Sequence, residues 1–476
     1  FILVAFSVLQ AVPLVVSVIY NETVQFPMRI YAIPALISLG LGVAAMILLK
    51  PRTMSPRLSM AVGTMGWFAL SLLGAIPYWL ALDIRFVDAL FEAVYGFTTT
   101  GVTFLTGLQG LPKSLLFWRA LTQWIGGLGI FTLFLFVVRE PGARHLLMGA
   151  ETHKAAVQRF SPGVFGSLKI LWLLYGAMTV ACGLLLWAWG MSPFDAVAHA
   201  LTTPSTGGFS TYDANIGHFA QAGYTHAVAI EYTILAFMLL GGTSFVVIWQ
   251  MLRRQWHAVA SNTELKVWGL LLAVGIGLVI WADRTHVAQI GWHTHIRQSA
   301  FHVVSMATSA GFTLRELPSA WFSPGTKQVL LLLMLIGGCV ASTAGGLKVY
   351  RISILGSSLR HWLRSAVATP LEVVSPLMSR QILRRTDIEQ AVAITVGWGA
   401  AIAAGWMAVT LIGQLSEWSS LSAVVSALSN IGPHFVPAAE HAALSPWAKG
   451  ILALAMIAGR LEILPVIILF RRKTWR

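Results

Sequence analysis

Four short segments of the sequence place a glycine among small or polar residues at nearly even spacing. Their third-position glycines lie 107, 103 and 121 residues apart. A ring of backbone carbonyls can replace the hydration shell of a cation, and glycine lets a backbone approach an ion closely. Four copies in one chain therefore predict four walls around a common ion path. We name them glycine segments one to four: Thr99-Thr100-Gly101-Val102, Thr206-Gly207-Gly208-Phe209, Ser309-Ala310-Gly311-Phe312 and Asn430-Ile431-Gly432-Pro433.

The composition is typical of a membrane protein with several spans. Of the 476 residues, 57% are hydrophobic and 11% are charged, whereas soluble domains carry about 25% charged residues. The net charge of +14 does not indicate nucleic-acid binding, because basic residues of membrane proteins accumulate on the cytoplasmic side. Because the chain starts at Phe1, we expect residues to precede it, and the first apolar run is too long for a signal peptide.

Ten apolar runs approach the roughly 20 residues that a helix needs to cross a bilayer. The first two form a hairpin, and the other eight form four pairs. Each pair encloses a shorter segment that begins 13 residues before a segment glycine. Such a helix rises about 20 Å, which is too short to cross, so we predict re-entrant helices at residues 88–101, 195–208, 298–311 and 419–432. The ten runs are 1–20, 30–49, 60–82, 114–138, 165–190, 226–250, 264–282, 327–356, 388–412 and 446–470.

This arrangement predicts an all-α membrane protein with four parallel repeats around a pseudo-fourfold pore. Two crossings return the chain to the same side, so successive repeats share one orientation and an axis along the membrane normal. The predicted units are an N-terminal hairpin and four repeats, at residues 1–57, 58–164, 165–262, 263–386 and 387–476.

The distribution of basic residues predicts a cytoplasmic N-terminus. With that orientation, 22 of the 32 Lys and Arg residues fall in inner segments, as the positive-inside rule requires. The re-entrant helices then enter from outside. The inner segments are 50–57, 139–169, 253–266, 348–385 and 471–476.

Residues 337–348, which read GGCVASTAGGLK, interrupt the long apolar run 327–356. Glycine, serine and threonine at this density predict a broken helix inside the membrane, below the third glycine segment. A plain flexible kink is the alternative interpretation. A phosphate-binding loop is disfavoured, because the Gly-Lys-Ser/Thr sequence is absent. We call residues 337–348 the central loop.

Arg460 is the most informative single charge, since it lies within the last apolar run. A mid-span charge costs about 2.5–3.5 kcal/mol, so it should face protein or water. Glu462 is two residues away and lies across the helix, which argues against a pair. We expect polar groups or carbonyls of the central loop as partners, or else a side chain that reaches the inner interface. His199, His302 and His434 are interpreted as structural residues rather than metal ligands.

The glycine segments, the central loop and the stretch Gly459-Arg460-Leu461-Glu462 together resemble the Trk/Ktr/HKT superfamily of potassium transporters. The N-terminal hairpin makes the chain most similar to the bacterial Trk potassium uptake membrane subunit. The resemblance implies a filter in which the four glycine segments bind K⁺ through backbone carbonyls. In related plant transporters a serine in the first segment accompanies sodium preference, so Gly101 implies a preference for potassium.

The resemblance also implies a gate, partners and a location. The gate consists of the central loop and Arg460. A homodimer, a cytoplasmic nucleotide-binding regulatory subunit and the cytoplasmic membrane of a bacterium are implied as well. The residues assigned to the gate are Gly337, Gly338, Ser342, Thr343, Gly345, Gly346, Lys348 and Arg460.

Two other classes of membrane protein would show different sequence features. A coupled secondary transporter for another monovalent cation or small solute should show inverted repeats and intramembrane acids. A membrane-embedded enzyme should show converging His, Asp or Ser residues, which the sequence does not indicate. Whether sodium or protons are co-transported is left open by the sequence.

Overall fold

The computed structural model describes residues 2–24, 26–48, 56–137, 164–367, 376–378 and 381–469. These residues are predominantly helical, and the predicted all-α class is confirmed. Six of the described helices are long and apolar enough to cross a membrane, and a strongly bent helix pair supplies a seventh span if it is counted as one. Much of the charge that predicts the orientation lies in residues 49–55, 138–163, 368–375, 379–380 and 470–476, outside the described residues.

The helices, in chain order, are α1 (Ile2–Ile19), α2 (Arg29–Leu48), α3 (Pro56–Leu82), α4 (Phe86–Phe97), α5 (Lys113–Val137), α6 (Val164–Ala188), α7 (Pro193–Thr202), α8 (Gly217–Gln221), α9 (Ala227–Gly242), α10 (Phe245–Leu252), α11 (Trp256–Ser261), α12 (Thr263–Ala282), α13 (Val287–Ile290), α14 (Trp292–Ala307), α15 (Pro324–Ile336), α16 (Val349–Val367), α17 (Arg385–Gly413), α18 (Glu417–Leu428), α19 (Ala438–Ala442), α20 (Pro446–Arg460) and α21 (Leu464–Leu469). Short 3₁₀ turns occur at Leu108–Gly110 and Arg284–His286. The two-residue strands β1 (Leu377–Met378) and β2 (Gln381–Ile382) pair antiparallel.

Polar contacts at both ends of the N-terminal hairpin of α1 and α2 connect it to the rest of the bundle. Ser38 donates a hydrogen bond of 2.6 Å to the Gln10 amide oxygen, and the Gln10 amide nitrogen donates to the Leu73 carbonyl at 3.2 Å. At the other end of the hairpin, the Glu22 carboxylate accepts hydrogen bonds from the backbone N–H groups of Lys113 and Ser114. These N–H groups begin α5, where a negative charge is stabilised by the helix dipole.

The four predicted re-entrant positions are occupied by helices that are too short to cross a bilayer. They are α4, α7, α14 and α18, with 12, 10, 16 and 12 residues. Ser192 caps α7 and Ser416 caps α18, each by accepting a backbone N–H with its side-chain oxygen. The predicted bounds were wrong by a few residues, because each helix begins earlier than expected and stops before its segment glycine.

Three of the predicted spans are broken in the structure. The interruption predicted within 327–356 is confirmed, since α15 ends at Ile336 and α16 begins at Val349. The predictions of continuous helices over 226–250 and 446–470 were wrong. α9 and α10 meet at a bend of 106°. The last run is interrupted after α20, where Glu462 and Ile463 adopt φ values of 58° and 63°.

Candidate functional site

The four re-entrant helices end in the same backbone geometry. The first residue of each glycine segment is left-handed, with φ between 52° and 54°. The N–H of the following residue donates to a carbonyl five residues earlier, at 2.9–3.0 Å. This pattern is the Schellman motif, in which glycine usually takes the left-handed position. The left-handed residues here are Thr99, Thr206, Ser309 and Asn430.

The segment glycines meet in a closed ring, in chain order. A Cβ added to Gly101 would lie 2.6 Å from the Gly207 carbonyl oxygen, and one added to Gly208 would overlap the Ala310 carbonyl oxygen. A Cβ on Gly311 would overlap the carbonyl oxygen of the fourth segment, and one on Gly432 would overlap the backbone of Gly101. Each segment therefore touches the next, and the fourth touches the first.

Close approach, rather than positive φ, is the property that all four glycines share. Gly208, Gly311 and Gly432 have φ values of 81°, 76° and 109°, whereas Gly101 is not in the left-handed region. The Gly101 N–H donates to the Ile431 carbonyl at 2.9 Å, which joins the first and fourth segments. Close approach, the property expected of glycine from the sequence, therefore applies at all four positions, whereas positive φ applies at three.

The convergence of the helix ends favours a cation at the ring. The C-terminal end of a helix carries a partial negative charge, and four such ends meet here. The small polar side chains of the segments are directed to protein groups. Thr206 Oγ1 donates to the Ser205 carbonyl at 2.7 Å, and Asn430 Nδ2 donates to the Met456 carbonyl at 2.8 Å. These side-chain donors are thus used within the protein, whereas the buried Asn430 Oδ1 accepts no hydrogen bond from the described residues.

Side chains behind the ring fix the orientation of the second and third glycine segments. Gln123 on α5 donates to the Gly207 carbonyl at 2.6 Å and accepts from the Phe209 N–H at 3.0 Å. Ser305 on α14 donates to the Phe312 carbonyl at 2.6 Å. Such fixed peptide groups need no reorganisation when a charge arrives. The sequence interpretation missed these residues, because a buried glutamine or serine in an apolar helix carries no motif.

The central loop packs directly against three of the four helix ends. The Gly345 N–H donates to Ser309 Oγ at 2.5 Å, and Thr343 Oγ1 donates to the Pro204 carbonyl at 2.9 Å. A Cβ on Gly345 would overlap the Ser429 carbonyl oxygen. The loop thus lies against the ends of the second, third and fourth re-entrant helices, directly beside the ring.

Contacts within the central loop explain its composition. Gly337 and Gly346 adopt φ values of 73° and 82°, and each approaches the other too closely for a Cβ. Ser342 Oγ donates to the Cys339 carbonyl, and Lys348 Nζ donates to the Ala344 carbonyl, both at 2.5 Å. With glycine at positions 337 and 346, the chain can turn out of α15 and back toward α16 while the two backbone segments remain in close contact.

The central loop is also joined by backbone hydrogen bonds to the bend between α9 and α10. The Cys339 N–H donates to the Gly242 carbonyl at 3.0 Å, and the Thr343 N–H donates to the Gly241 carbonyl at 3.1 Å. In the opposite direction, the Phe245 N–H donates to the Ala341 carbonyl at 2.9 Å. A Cβ on Gly338 would lie 2.9 Å from the Gly242 carbonyl oxygen, so this approach also requires glycine.

Arg460 joins the central loop to α5. Its Nη1 donates to the Thr343 carbonyl at 2.8 Å, and its Nη2 donates to the carbonyls of Gly126 and Gly127 at 2.8 and 3.1 Å. The residue is 4% exposed, which excludes a side chain reaching the membrane surface. The prediction of a central-loop carbonyl as partner is confirmed, and Glu462 instead pairs with Arg351 on α16.

The predicted histidines are held by neighbouring groups. His199 Nδ1 bonds the Asp195 carbonyl at 2.8 Å, and His302 Nδ1 bonds the Gln298 carbonyl at 2.8 Å. His434 lies directly after the fourth glycine segment, with its ring centroid 4.6 Å from that of His441. Within the described residues, no group of three or more His, Cys, Asp or Glu is arranged to hold a metal ion.

We expect the His434–His441 pair to make the stability of the protein fall in mild acid. Burial lowers the pKa of His434 to about 4, and burial, His434 and nearby Lys449 hold the pKa of His441 well below its usual value. An unfolded histidine has a pKa of about 6.5, so below that pH the unfolded chain binds more protons than the folded one. The free energy of unfolding should therefore decrease from pH 6.5 toward pH 4.

Thermal unfolding of the purified protein in detergent, followed between pH 7.5 and 4.5, measures this effect. A His434→Asn/His441→Gln variant should show a weaker loss of melting temperature toward acid. The exposed His257, changed to Asn, is the matched control and should behave as wild type. An unaltered acid dependence in the double variant would contradict the assignment.

Short helices that end at a common ring, above a loop inside a membrane-spanning bundle, define a pore-type membrane transport protein. The chain belongs to the TrkH family, described as "Cation transport protein", whose model matches residues 50–476. A transport family is not an enzyme class, which agrees with the expectation from the sequence.

Three bacterial proteins are similar to this chain over most of its length. The Trk system potassium uptake protein TrkH of Salmonella typhimurium is 34% identical over 86% of this chain and 84% of its own length. The protein of the same name from Halomonas elongata is 32% identical over 100% of this chain and 97% of its own. The crystal structure of the potassium transporter TrkH from Vibrio parahaemolyticus superposes with a TM-score of 0.85 at 26% identity, covering 100% and 97% of the two chains. The resemblance to the Trk side of the superfamily is confirmed.

Proposed function

We propose that this protein takes up potassium across the cytoplasmic membrane of a bacterium, through a filter formed by the four glycine segments. The closed ring of backbone contacts among Gly101, Gly208, Gly311 and Gly432 is the observation that carries the proposal. The relatives are named as potassium uptake proteins, which supports K⁺ as the transported ion. The membrane potential would drive entry, at about 2.3 kcal/mol per charge per 100 mV.

The proposed filter uses the peptide backbone of the glycine segments. A carbonyl oxygen has two lone pairs, so a carbonyl already bonded within the protein can still accept an ion. The four negative helix ends add an attraction for cations at the same place. The proposed filter residues are Thr99, Thr100, Gly101, Val102, Thr206, Gly207, Gly208, Phe209, Ser309, Ala310, Gly311, Phe312, Asn430, Ile431, Gly432 and Pro433.

The proposed gate is the central loop together with Arg460. The contact of Gly345 with Ser309 supports a position immediately beside the filter. The hydrogen bonds of Arg460 to Thr343 and to α5 support a role in holding the loop in an obstructing position. Conduction would then require that these bonds be exchanged or broken.

A coupled secondary transporter is the competing proposal. Its usual architecture has inverted repeats, whereas the four helix ends of this protein share one turn type and one order of contact. That regularity favours four parallel repeats, at residues 58–164, 165–262, 263–386 and 387–476, after a hairpin at 1–57. Dissipating the proton and sodium gradients separately in vesicles would distinguish a channel from a symporter.

The orientation and partners complete the proposal. A cytoplasmic N-terminus, a multi-pass chain, a homodimer and a cytoplasmic nucleotide-binding regulatory subunit follow from the basic inner segments and from the superfamily resemblance. The relatives are named as members of a Trk system, which supports the search for a partner subunit. Co-purification from the native membrane, with and without nucleotide, tests this part.

The first test is the selectivity of a Gly101→Ser variant. Gly101 is not left-handed, so serine is sterically allowed by the backbone, but its Cβ would press on the Gly207 and Ala310 carbonyl oxygens at 2.6 and 3.0 Å. We expect the preference for rubidium over sodium to fall about tenfold, or about 1.4 kcal/mol. Rubidium-86 entry into vesicles that contain the protein, with competing sodium, measures it.

Gly110→Ser is the matched control, because a Cβ there meets open space. It should retain the selectivity of the wild type. Wild-type selectivity in Gly101→Ser would contradict the filter assignment. Absence of rubidium entry in the wild type, together with failure to restore growth at low potassium, would contradict the proposed function itself.

A further inference from the structure

A fully buried ion pair lies behind the first two glycine segments. Glu92 on α4 and Arg119 on α5 are 0% and 1% exposed, and Arg119 Nε lies 2.9 Å from Glu92 Oε1. Taking two charges out of water is expensive, and a buried pair is weak evidence for stability alone. We therefore examine which neighbouring groups the Glu92–Arg119 pair holds in place.

Glu92 holds the chain that leaves the first glycine segment. Both of its carboxylate oxygens accept Thr103 Oγ1 at 2.8 Å. Thr103 follows Gly101 by two residues, and its Oγ1 also accepts the Leu105 N–H at 3.0 Å. The carboxylate thus fixes the exit of segment one from the ring.

Arg119 holds the second segment from the same place. Its Nη1 donates to the Ser210 carbonyl at 3.2 Å, and its guanidinium carbon lies 4.1 Å from the centre of the Phe209 ring. One turn further along α5, Gln123 bonds Gly207 and Phe209. A single face of α5 therefore sets the position of segment two relative to segment one.

A different device joins the second and third segments. The neutral amide of Asn215 donates to the Gly208 carbonyl at 3.2 Å and accepts the Thr313 N–H at 3.3 Å. The connection between segments one and two and the connection between segments two and three are thus made by unlike groups. The charged connection belongs to segments one and two, where the bonds are charge-assisted and stronger.

We infer that Glu92 and Arg119 are positioning residues that fix the spacing between the first and second glycine segments and thereby determine selectivity for K⁺ over Na⁺. They act through the segment backbone and do not touch the ion. The inference rests on the proposed filter and assigns its specificity to a pair of side chains outside the segments. K⁺ and Na⁺ differ in radius, so a shift of one wall relative to its neighbour changes their relative affinities.

The experiment compares ion competition in the full-length protein reconstituted into vesicles. The variants are Glu92→Gln/Arg119→Met, which removes both charges together, and Thr103→Val, which leaves the ion pair but removes its bond to segment one. The measurement is rubidium-86 entry, with sodium as competitor. We expect sodium to compete at least fivefold better in the double variant and about threefold better in Thr103→Val.

A matched control is the Glu231–Arg297 pair, which joins α9 to α14 at 2.8 Å. The variant Glu231→Gln/Arg297→Met removes a pair that is also largely buried, with side chains 4% and 10% exposed, and should keep the selectivity of the wild type. A loss of selectivity in this control equal to that of Glu92→Gln/Arg119→Met would overturn the inference, since the effect would then be general loosening.

The remaining outcomes separate the inference from the proposed function. No rubidium entry in the wild type would contradict the proposed function. Selective entry in the wild type, with unchanged selectivity in a folded double variant, would overturn the inference alone. If the double variant does not fold, Thr103→Val decides: unchanged selectivity there overturns the inference, and a loss supports it.

Discussion

Replacement of Gly208 by alanine should reduce rubidium uptake by at least about 100-fold, which corresponds to about 2.7 kcal/mol. Gly208 has a φ of 81°, and its Cβ would overlap the Ala310 carbonyl oxygen. That oxygen belongs to a backbone and cannot rotate away. The third segment is held by the hydrogen bond from Ser305 to Phe312, so the clash must displace part of the proposed filter. Rubidium-86 entry into vesicles, at equal protein content, measures the effect.

The control for this prediction separates backbone strain from the clash. Gly223 also has a positive φ, 73°, but a Cβ there meets open space. Gly223→Ala carries the same type of strain, about 1–2 kcal/mol, and should transport as the wild type does. If Gly208→Ala and Gly223→Ala are impaired equally, strain alone is responsible, and the ring contact has no special role.

Replacement of Arg460 by alanine should raise background rubidium entry about tenfold or more. Arg460 donates to the carbonyls of Thr343, Gly126 and Gly127, and a hydrogen bond to a charged group contributes about 1.5–3 kcal/mol. Removing the guanidinium releases the central loop from α5, so the obstructing conformation that we propose for the loop should lose stability. Single-channel recording or rubidium entry without any regulatory partner measures the leak.

Two further variants serve as an intermediate case and as a control for Arg460→Ala. Arg460→Lys keeps the charge but lacks the planar fork that reaches both the central loop and α5, so an intermediate leak is expected. Arg360 on α16 is exposed, and Arg360→Ala should leave the leak unchanged. Wild-type leak in Arg460→Ala, at normal expression, would show that the central loop is held by other contacts.

The glycine segments could be predicted from the sequence because repetition reinforces a weak signal. A single segment would be interpreted as an ordinary loop, but four segments at equivalent positions in four predicted repeats indicate a shared structural role. The central loop was predictable for a different reason, since glycine, serine and threonine are dense within an apolar run. Arg460 was predictable from energetics, because a mid-span charge requires a partner in the protein.

The break between α9 and α10 could not be predicted, because its determinants are distant in sequence. The local residues at the bend, Thr243 and Ser244, are tolerated in many helices. The bend is stabilised by hydrogen bonds to Cys339 and Ala341, about a hundred residues away. The break after α20 is similar, since Glu462 is held there by Arg351. The helix propensity of the local residues gives no information about such tertiary contacts.

The left-handed threonines were also beyond sequence reasoning. A β-branched residue at positive φ is a genuine outlier, so Thr99 and Thr206 would ordinarily be excluded from that conformation. The Schellman hydrogen bonds and the close packing of the ring hold them there. Strained backbone conformations of this kind persist where many surrounding contacts hold the backbone in place, and they are concentrated at functional sites.

The backbone hydrogen bonds between the central loop and the bend that separates α9 from α10 restrict the movements by which the loop could open the proposed ion path. If the central loop moved alone, the hydrogen bonds of Cys339, Thr343 and Ala341 to residues 241–245 would have to break first. If α10 travels with the loop, those bonds survive, and the cost of movement falls. Under the proposed gate, a displacement of the C-terminal end of α10 would therefore be transmitted through these hydrogen bonds to the central loop.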